Sequence, residues 1–242
     1  MHDDQRMAWE EEARLTIFNF ALIRSVRSLP NLILLLGLPA AVVVLPVGGW
    51  HGLPLGYHFY GILLLFTASK LVHMIMEDRK NKIMTRIGVA PVTHFKYLSQ
   101  NLLAFALLLV GQSAVVTCSA WLLHTDVFGS LIQLFSMFSV FSVTAISFSL
   151  AWCSMFRQPE SSTAVMLGII LIMAVLGGTL FPIQAMPASL QKIAMLSPTY
   201  WFHEGIMLAK NGGLFAEQLT PLGILLLFAI AFMLIGSRRK LA

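Results

Sequence analysis

Few residues in this chain have the types and spacing that support covalent chemistry. His203 and Glu204 are adjacent, and neighbouring side chains on a helix diverge, so they do not form an acid–base pair. His51, His58, His124 and Asp126 are scattered between apolar segments. They lack the close spacing of a zinc ligand set, and no metal site is expected. The sequence contains no Gly-x-x-x-x-Gly-Lys-Ser/Thr phosphate loop, HExxH, GxSxG or CxxC. No catalytic residue is therefore expected. Cys118 and Cys153 fall near opposite ends of the expected spans and read as free thiols in helix packing. The sharpest ionisable residue is Lys70, set within "GILLLFTASKLVHMIMEDRK". It precedes Glu77 by seven positions, about 10 Å along a helix. A charge inside an apolar span is a functional signal, although its long stem also allows the ammonium to snorkel to the headgroups. Thr67, Lys70 and His73 recur at i, i+3 and i+6 and share one face. Lys70 is thus either a snorkelling residue or part of an inner vestibule.

The elements that hold these residues are membrane spans. Of the 242 residues, 57% are hydrophobic and only 11% charged, against about 25% charged in soluble domains. Mean hydropathy is +0.80. Crossing the hydrocarbon core takes about 20 apolar residues, and six segments qualify: 31–50, 57–76, 98–123, 129–155, 162–176 and 219–236. The expected fold is an all-α integral membrane protein forming a single domain over 1–242. The acidic, polar start predicts no cleavable leader, so the first span stays in the mature protein.

Thirteen of the 16 Lys and Arg residues fall on one side of these spans: before the first, between the second and third, between the fourth and fifth, and after the sixth. The opposite loops hold only Lys192 and Lys210. Basic loops face the cytoplasm, which predicts cytoplasmic N- and C-termini and an external segment around 177–210. The net charge of +5 is accounted for by these loops. No soluble basic domain exists to hold nucleic acid.

Residues 4–28 predict an amphipathic interfacial helix, with Leu15, Phe18, Leu22 and Val26 on one face and Pro30 ending it. It serves either as an anchor for the first span or as a contact for a partner. After the second span, "EDRKNKIMTRIGVAPVTHFKYLSQ" is basic, with Ile83, Met84 and Ile87 at helical spacing and Gly88 and Pro91 as stops. This is either a solvated basic loop or a short helix whose apolar edge fits a protein groove. In the fourth span Gln133, Ser136, Ser139 and Ser142 recur every three residues, either to let helices approach closely or to line a mildly polar route.

The stretch "GGTLFPIQAMPASLQKIAMLSPTYWFHEG", Gly177–Gly205, is too broken for one helix and too apolar for a solvated loop. Pro182 breaks the fifth span near its end. Pro187 suits the start of a short helix reaching Leu196. Ser197-Pro198 stops that helix, and a second short helix runs from Thr199 to Lys210. Tyr200, Trp201 and Phe202 are expected at headgroup level. Irregular backbone at membrane depth must be covered by protein or face a cavity. The pattern predicts a re-entrant helical hairpin at 177–210, acting either as a lid over an exit or as a structural cap.

The pattern of Gly178, Phe181-Pro182, Met186-Pro187, Leu190-Gln191, Ile193, Leu196 and Pro198-Thr199-Tyr200 resembles the external segment of type-2 ABC export permeases. Glu77, Thr85 and Ala90-Pro91-Val92 resemble the cytoplasmic loop of that family. The chain departs from it in having Met84 before Thr85, where the family has Gly, and in the basic Lys80, Lys82 and Arg86. The resemblance implies that 79–91 is a coupling helix docking on a separate ATPase through Glu77, Ile83, Met84, Ile87 and Pro91. It also implies a translocation pathway or gate, for which Lys70, Phe181, Pro182, Met186, Pro187 and Tyr200 are the candidates. The expected partners are two copies of an ABC ATPase, which would bind ATP and Mg, and a second copy or a homologous permease. The chain itself would bind no cofactor. The resemblance further implies a bacterial inner-membrane exporter of an amphipathic cargo such as a drug, peptide antibiotic, lipid or glycan. The rival readings are an ATP-independent channel or carrier, a drug-binding membrane sensor, and an intramembrane enzyme.

Overall fold

A computed structural model describes residues 17–45, 47–48, 52–81, 94–123, 127–156 and 158–238. Helix α1, Ile17–Arg27, meets α2, Leu29–Val44, at 80°. Ser28 between them is extended and Pro30 lies in the first turn of α2, where a missing N–H costs nothing but where α1 cannot continue. Within α2, Ile33–Gly37 forms a π-helical turn. Pro39 lacks the N–H that would reach the Leu35 carbonyl, and the displaced ladder is absorbed by this wider turn.

The span expected over 31–50 is shorter in the structure, ending at Val44. Leu45 has ψ 133°, the extended conformation that a following proline, Pro46, imposes. Two short strands then pair antiparallel, β1 Val47–Gly48 with β2 Leu53–Pro54. Of the interfacial helix expected at 4–28, the part from Ile17 to Arg27 is helical; residues 4–16 lie outside the described residues.

Five longer helices follow: α3 Leu55–Lys80, α4 His94–Leu123, α5 Leu131–Met155, α6 Pro159–Leu176 and α9 Phe215–Arg238. Between α6 and α9 lie a 3-10 turn, Ile183–Ala185, and two short helices, α7 Ala188–Ala194 and α8 Pro198–Lys210. Among the described residues, five helices are long and apolar enough to cross a membrane, or six if the bent α1–α2 pair is one span.

Helix α5 is central and packs on α3, α4, α8 and α9. Tyr57, Tyr60, Phe105, Leu134, Met137, Phe138 and Phe141 are fully enclosed there. Among the hydroxyl side chains of α5, Ser142 and Thr144 reach neighbouring helices. Ser142 bonds its own helix at the Phe138 carbonyl and meets Ser113 at 3.2 Å, which in turn meets the Tyr60 hydroxyl at 3.1 Å. Thr144 donates across to the Leu225 carbonyl of α9 at 3.1 Å. Small hydroxyl side chains let helices come close while satisfying their own polarity. Helix α6 is peripheral and leaves Val165, Leu167, Leu171 and Ile172 exposed.

Candidate functional site

The bundle has two chemically distinct ends. Arg24, Arg79 and Lys80 mark a basic end. Lys192, in the last turn of α7, and Lys210, in the last turn of α8, lie at the other, where α6 breaks into the short helices.

At the basic end, Asp78 sits in the last turn of α3 and is 5% exposed. Arg24 of α1 donates to both its carboxylate oxygens from one nitrogen, at 2.7 and 2.6 Å. The Tyr97 hydroxyl, from the start of α4, donates to the same carboxylate. A buried carboxylate needs this compensation, since desolvation of an unpaired charge costs several kcal/mol. Three separate helices thus converge on one side chain. A second link is exposed: Lys80 meets Glu160, at the start of α6, at 2.5 Å. His73 lies 3.3 Å from the Thr163 hydroxyl of α6 and 3.7 Å from Glu77.

Glu77, one of the expected coupling residues, is exposed on the end of α3. Ile83, Met84, Ile87 and Pro91, like the whole loop 82–93, lie outside the described residues. Asp78 and its partners Arg24 and Tyr97 were not signalled by the sequence. Adjacent residues on a helix point about 100° apart, and nothing in the string "EDRK" says that Asp78 rather than Glu77 faces inward.

Lys70 is exposed on α3. Its strip of helix runs between two contacts. On one side Met74 meets Ser25 and Asn31; on the other His73 meets Thr163. Ten residues, about 15 Å, separate Lys70 from the Lys80 end. A helical side chain leans toward the helix N-terminus, which here is the far, hairpin end. Snorkelling to the nearer basic end therefore runs against the natural direction of the side chain. Thr67, expected on the same face, is buried against its own helix at the Leu63 carbonyl.

At the opposite end, α6 stops at Gly177, and Gly178 has φ +76°, a conformation that favours glycine. The N–H groups of Thr179 and Leu180 fold back on the Ala174 carbonyl. Pro182 and Pro187 are both extended, flanking the 3-10 turn, and Pro187 caps α7. Thr199 ties the segment to α6 by donating to the Met173 carbonyl at 2.6 Å. The Trp201 indole donates to the Met195 carbonyl at 2.8 Å. His58 of α3 bonds the Thr179 carbonyl at 2.8 Å and packs edge-on to His203, centroids 5.4 Å apart.

Phe202, expected at headgroup level, is instead a core residue, 4% exposed. Its ring lies 4.1 Å from Phe141 and 6.0 Å from Phe138, over the bare backbone of Gly61. The helix turns α8 so that Phe202 and Ile206 face the bundle, while Tyr200 and Trp201 remain partly exposed.

Phe181, Met186 and Pro187 come together. With Ile172, Val175 and Leu176 of α6 and Leu190 of α7 they line an open apolar groove of about 390 Å³. Pro182 shapes the turn without lining the groove, and Tyr200 is likewise not part of its lining. Lys70 is not brought to this groove. Among the described residues, no cluster of three or more His, Cys, Asp or Glu stands ready for a metal.

A helical bundle with five or six helices able to cross a membrane has the architecture of a multi-pass, all-α membrane protein. Residues 55–238 match the model of the ABC-2 family transporter proteins, about three quarters of the chain, and the chain belongs to that family. No curated protein matches the chain. Membership makes this the membrane subunit of an ABC transporter. Such subunits carry no ATP site of their own and work with an ABC ATPase.

Proposed function

We propose that the chain is the permease of an ATP-driven exporter in a bacterial inner membrane, with both termini and the 82–93 loop in the cytoplasm. Two ATPase subunits bind ATP and Mg and engage the loop through Glu77, Ile83, Met84, Ile87 and Pro91. A second copy of the chain, or a homologous permease, completes the conduit. The cargo is amphipathic. The observation that carries this reading is the polarity of the bundle: basic residues and a buried polar clamp at one end, a proline-broken apolar hairpin at the other. Basic loops favour the cytoplasm, and broken helices at membrane depth line transport routes.

In this reading the 177–210 segment is a re-entrant gate. Phe181, Pro182, Met186, Pro187 and Tyr200 form its lip, and Lys70 lines the route between α2 and α6. A charge at that depth, leaning away from the near headgroups, is best satisfied by a wet pathway. Two measurements test the proposal. Tagged chain purified from its host membranes should bring an ABC ATPase with it, and Ile87→Glu should abolish that association while leaving membrane insertion intact. A cysteine at Lys192 should react with impermeant maleimide from outside intact cells. Full transport by the chain without any ATPase, or labelling of position 192 only after lysis, refutes it.

A further inference from the structure

The loop 82–93 is held at both stems by one side chain. Asp78 is two residues before α3 ends at Lys80, and Tyr97 is three residues after α4 begins at His94. Both are at most 6% exposed, and the Tyr97 hydroxyl bonds the Asp78 carboxylate directly. Arg24 brings a third element to the same carboxylate. Arg24 lies in the last turn of α1, and α1 joins α2 through a single residue at 80°. A shift of the loop stems therefore drags the end of α1, and a helix set crosswise to its successor acts on that successor as a lever.

We propose that Arg24, Asp78 and Tyr97 are positioning residues that transmit motion of the loop 82–93 to α2. They make the ends of α1, α3 and α4 move as one body. The inference rests on the reading of this loop as the ATPase-docking element.

The α3 stem has a second ionic link, Lys80–Glu160, which leads to α6, and α3 also touches α2 higher up, where Asn31 donates to the Met74 sulfur at 3.1 Å. The Lys80 and Glu160 side chains are 57% and 70% exposed, whereas Asp78 and Arg24 are 7% and 24% exposed. Exposed ion pairs are screened by water and hold two mobile side chains loosely. Removing one partner of an enclosed pair leaves a charge with no substitute solvent. Two links to the same stem therefore differ sharply in stiffness, and the stiff one leads to α1 and α2.

The test reads motion of α2 without needing the cargo. In a background with Cys118→Ser and Cys153→Ser, Val44→Cys is introduced at the far end of α2, where the native side chain is 82% exposed. The full chain is purified with its co-purifying ATPase, and N-ethylmaleimide labelling rates are compared without nucleotide and with ATP plus vanadate. The parental rate should change by about fivefold or more, a typical coupling magnitude. Arg24→Gln and Asp78→Asn should retain the ATPase and basal hydrolysis but lose that nucleotide response. Lys80→Gln and Glu160→Gln should keep it.

A full response in Arg24→Gln and Asp78→Asn overturns the proposal. So does loss of the ATPase from these variants, since the cluster would then shape the docking surface rather than transmit its motion. If the two variants fail to accumulate, Tyr97→Phe, which keeps both charges but frees the α4 stem, takes their place: folded protein with a lost response supports the clamp, and folded protein with a full response overturns it. A parental chain that holds no ATPase fails the proposed function itself, and the clamp falls with it.

Discussion

Phe202 is the wedge that seats α8 in the bundle, and its removal should loosen the broken segment. The ring is enclosed by Phe138, Phe141 and the backbone of Gly61. Truncating such a ring to alanine costs about 3–5 kcal/mol in soluble cores, from lost contacts plus a cavity. Lipid solvates an apolar ring better than water does, so only the packing part survives in a membrane protein. We expect about 3 kcal/mol for Phe202→Ala, from the low end of that range, and a fall in Tm of roughly 6–12 °C for a chain of this length. Gly61 supplies an internal control. A Cβ there would overlap the edge of the Phe202 ring, so Gly61→Ala alone should cost about 1–3 kcal/mol by overpacking. With the ring gone, that clash vanishes, and the double variant should be more stable than the sum of the singles by about 1–2 kcal/mol. The assay is size-exclusion recovery of detergent-solubilised protein after heating in steps. A drop below about 2 °C for Phe202→Ala, against the per-kcal slope expected at this size, would refute the reasoning, as would strict additivity in the double variant.

Thr199→Val removes the donor to the Met173 carbonyl and should lower stability by about 1–2 kcal/mol, while Thr199→Ser should retain most of it; the same heating assay reads both. Lys70→Leu should ease membrane insertion by about 2–3 kcal/mol, the cost of a cation at helix mid-depth. It should also abolish ATP-dependent transport, so an insertion-reporter assay and vesicle uptake should move in opposite directions. Tyr97→Phe removes one bond to the buried Asp78 carboxylate and should cost about 1.5–3 kcal/mol, the range for a hydrogen bond to a charge. Equal melting of Tyr97→Phe and the parent would show that this bond contributes nothing to stability.

How much was legible in the sequence varies with the range of the interaction. The helices α3 to α6 and α9 follow from hydropathy and length, and their ends in the structure fall within four residues of those expected, α5 starting two residues later than expected. The breaks at Pro30, Pro182, Pro187 and Ser197-Pro198 were readable because proline acts within one or two positions of itself. Pro46 acts the same way on Leu45, but the apolar run continues to Trp50, and hydropathy alone hides the local stop. The apolar groove was half visible, since Phe181, Met186 and Pro187 were already singled out, although their meeting with Ile172 and Val175 was not.

Composition and local sterics were enough for the membrane class, the end of the bundle that is basic and the place where the helices break. Each of these rests on composition or on steric rules that operate within a turn. Which polar residues are buried and which aromatic rings are core depended on long-range packing. Asp78 and Glu77 are neighbours in the chain, yet one is enclosed by Arg24 and Tyr97 and the other faces out. Phe202 and Trp201 are neighbours too, and only the first is fully buried, Trp201 lying half-buried at the edge of the core. The physical reason is the same in both pairs: a helix turns about 100° per residue, and which direction is inward is set by partners dozens of residues away.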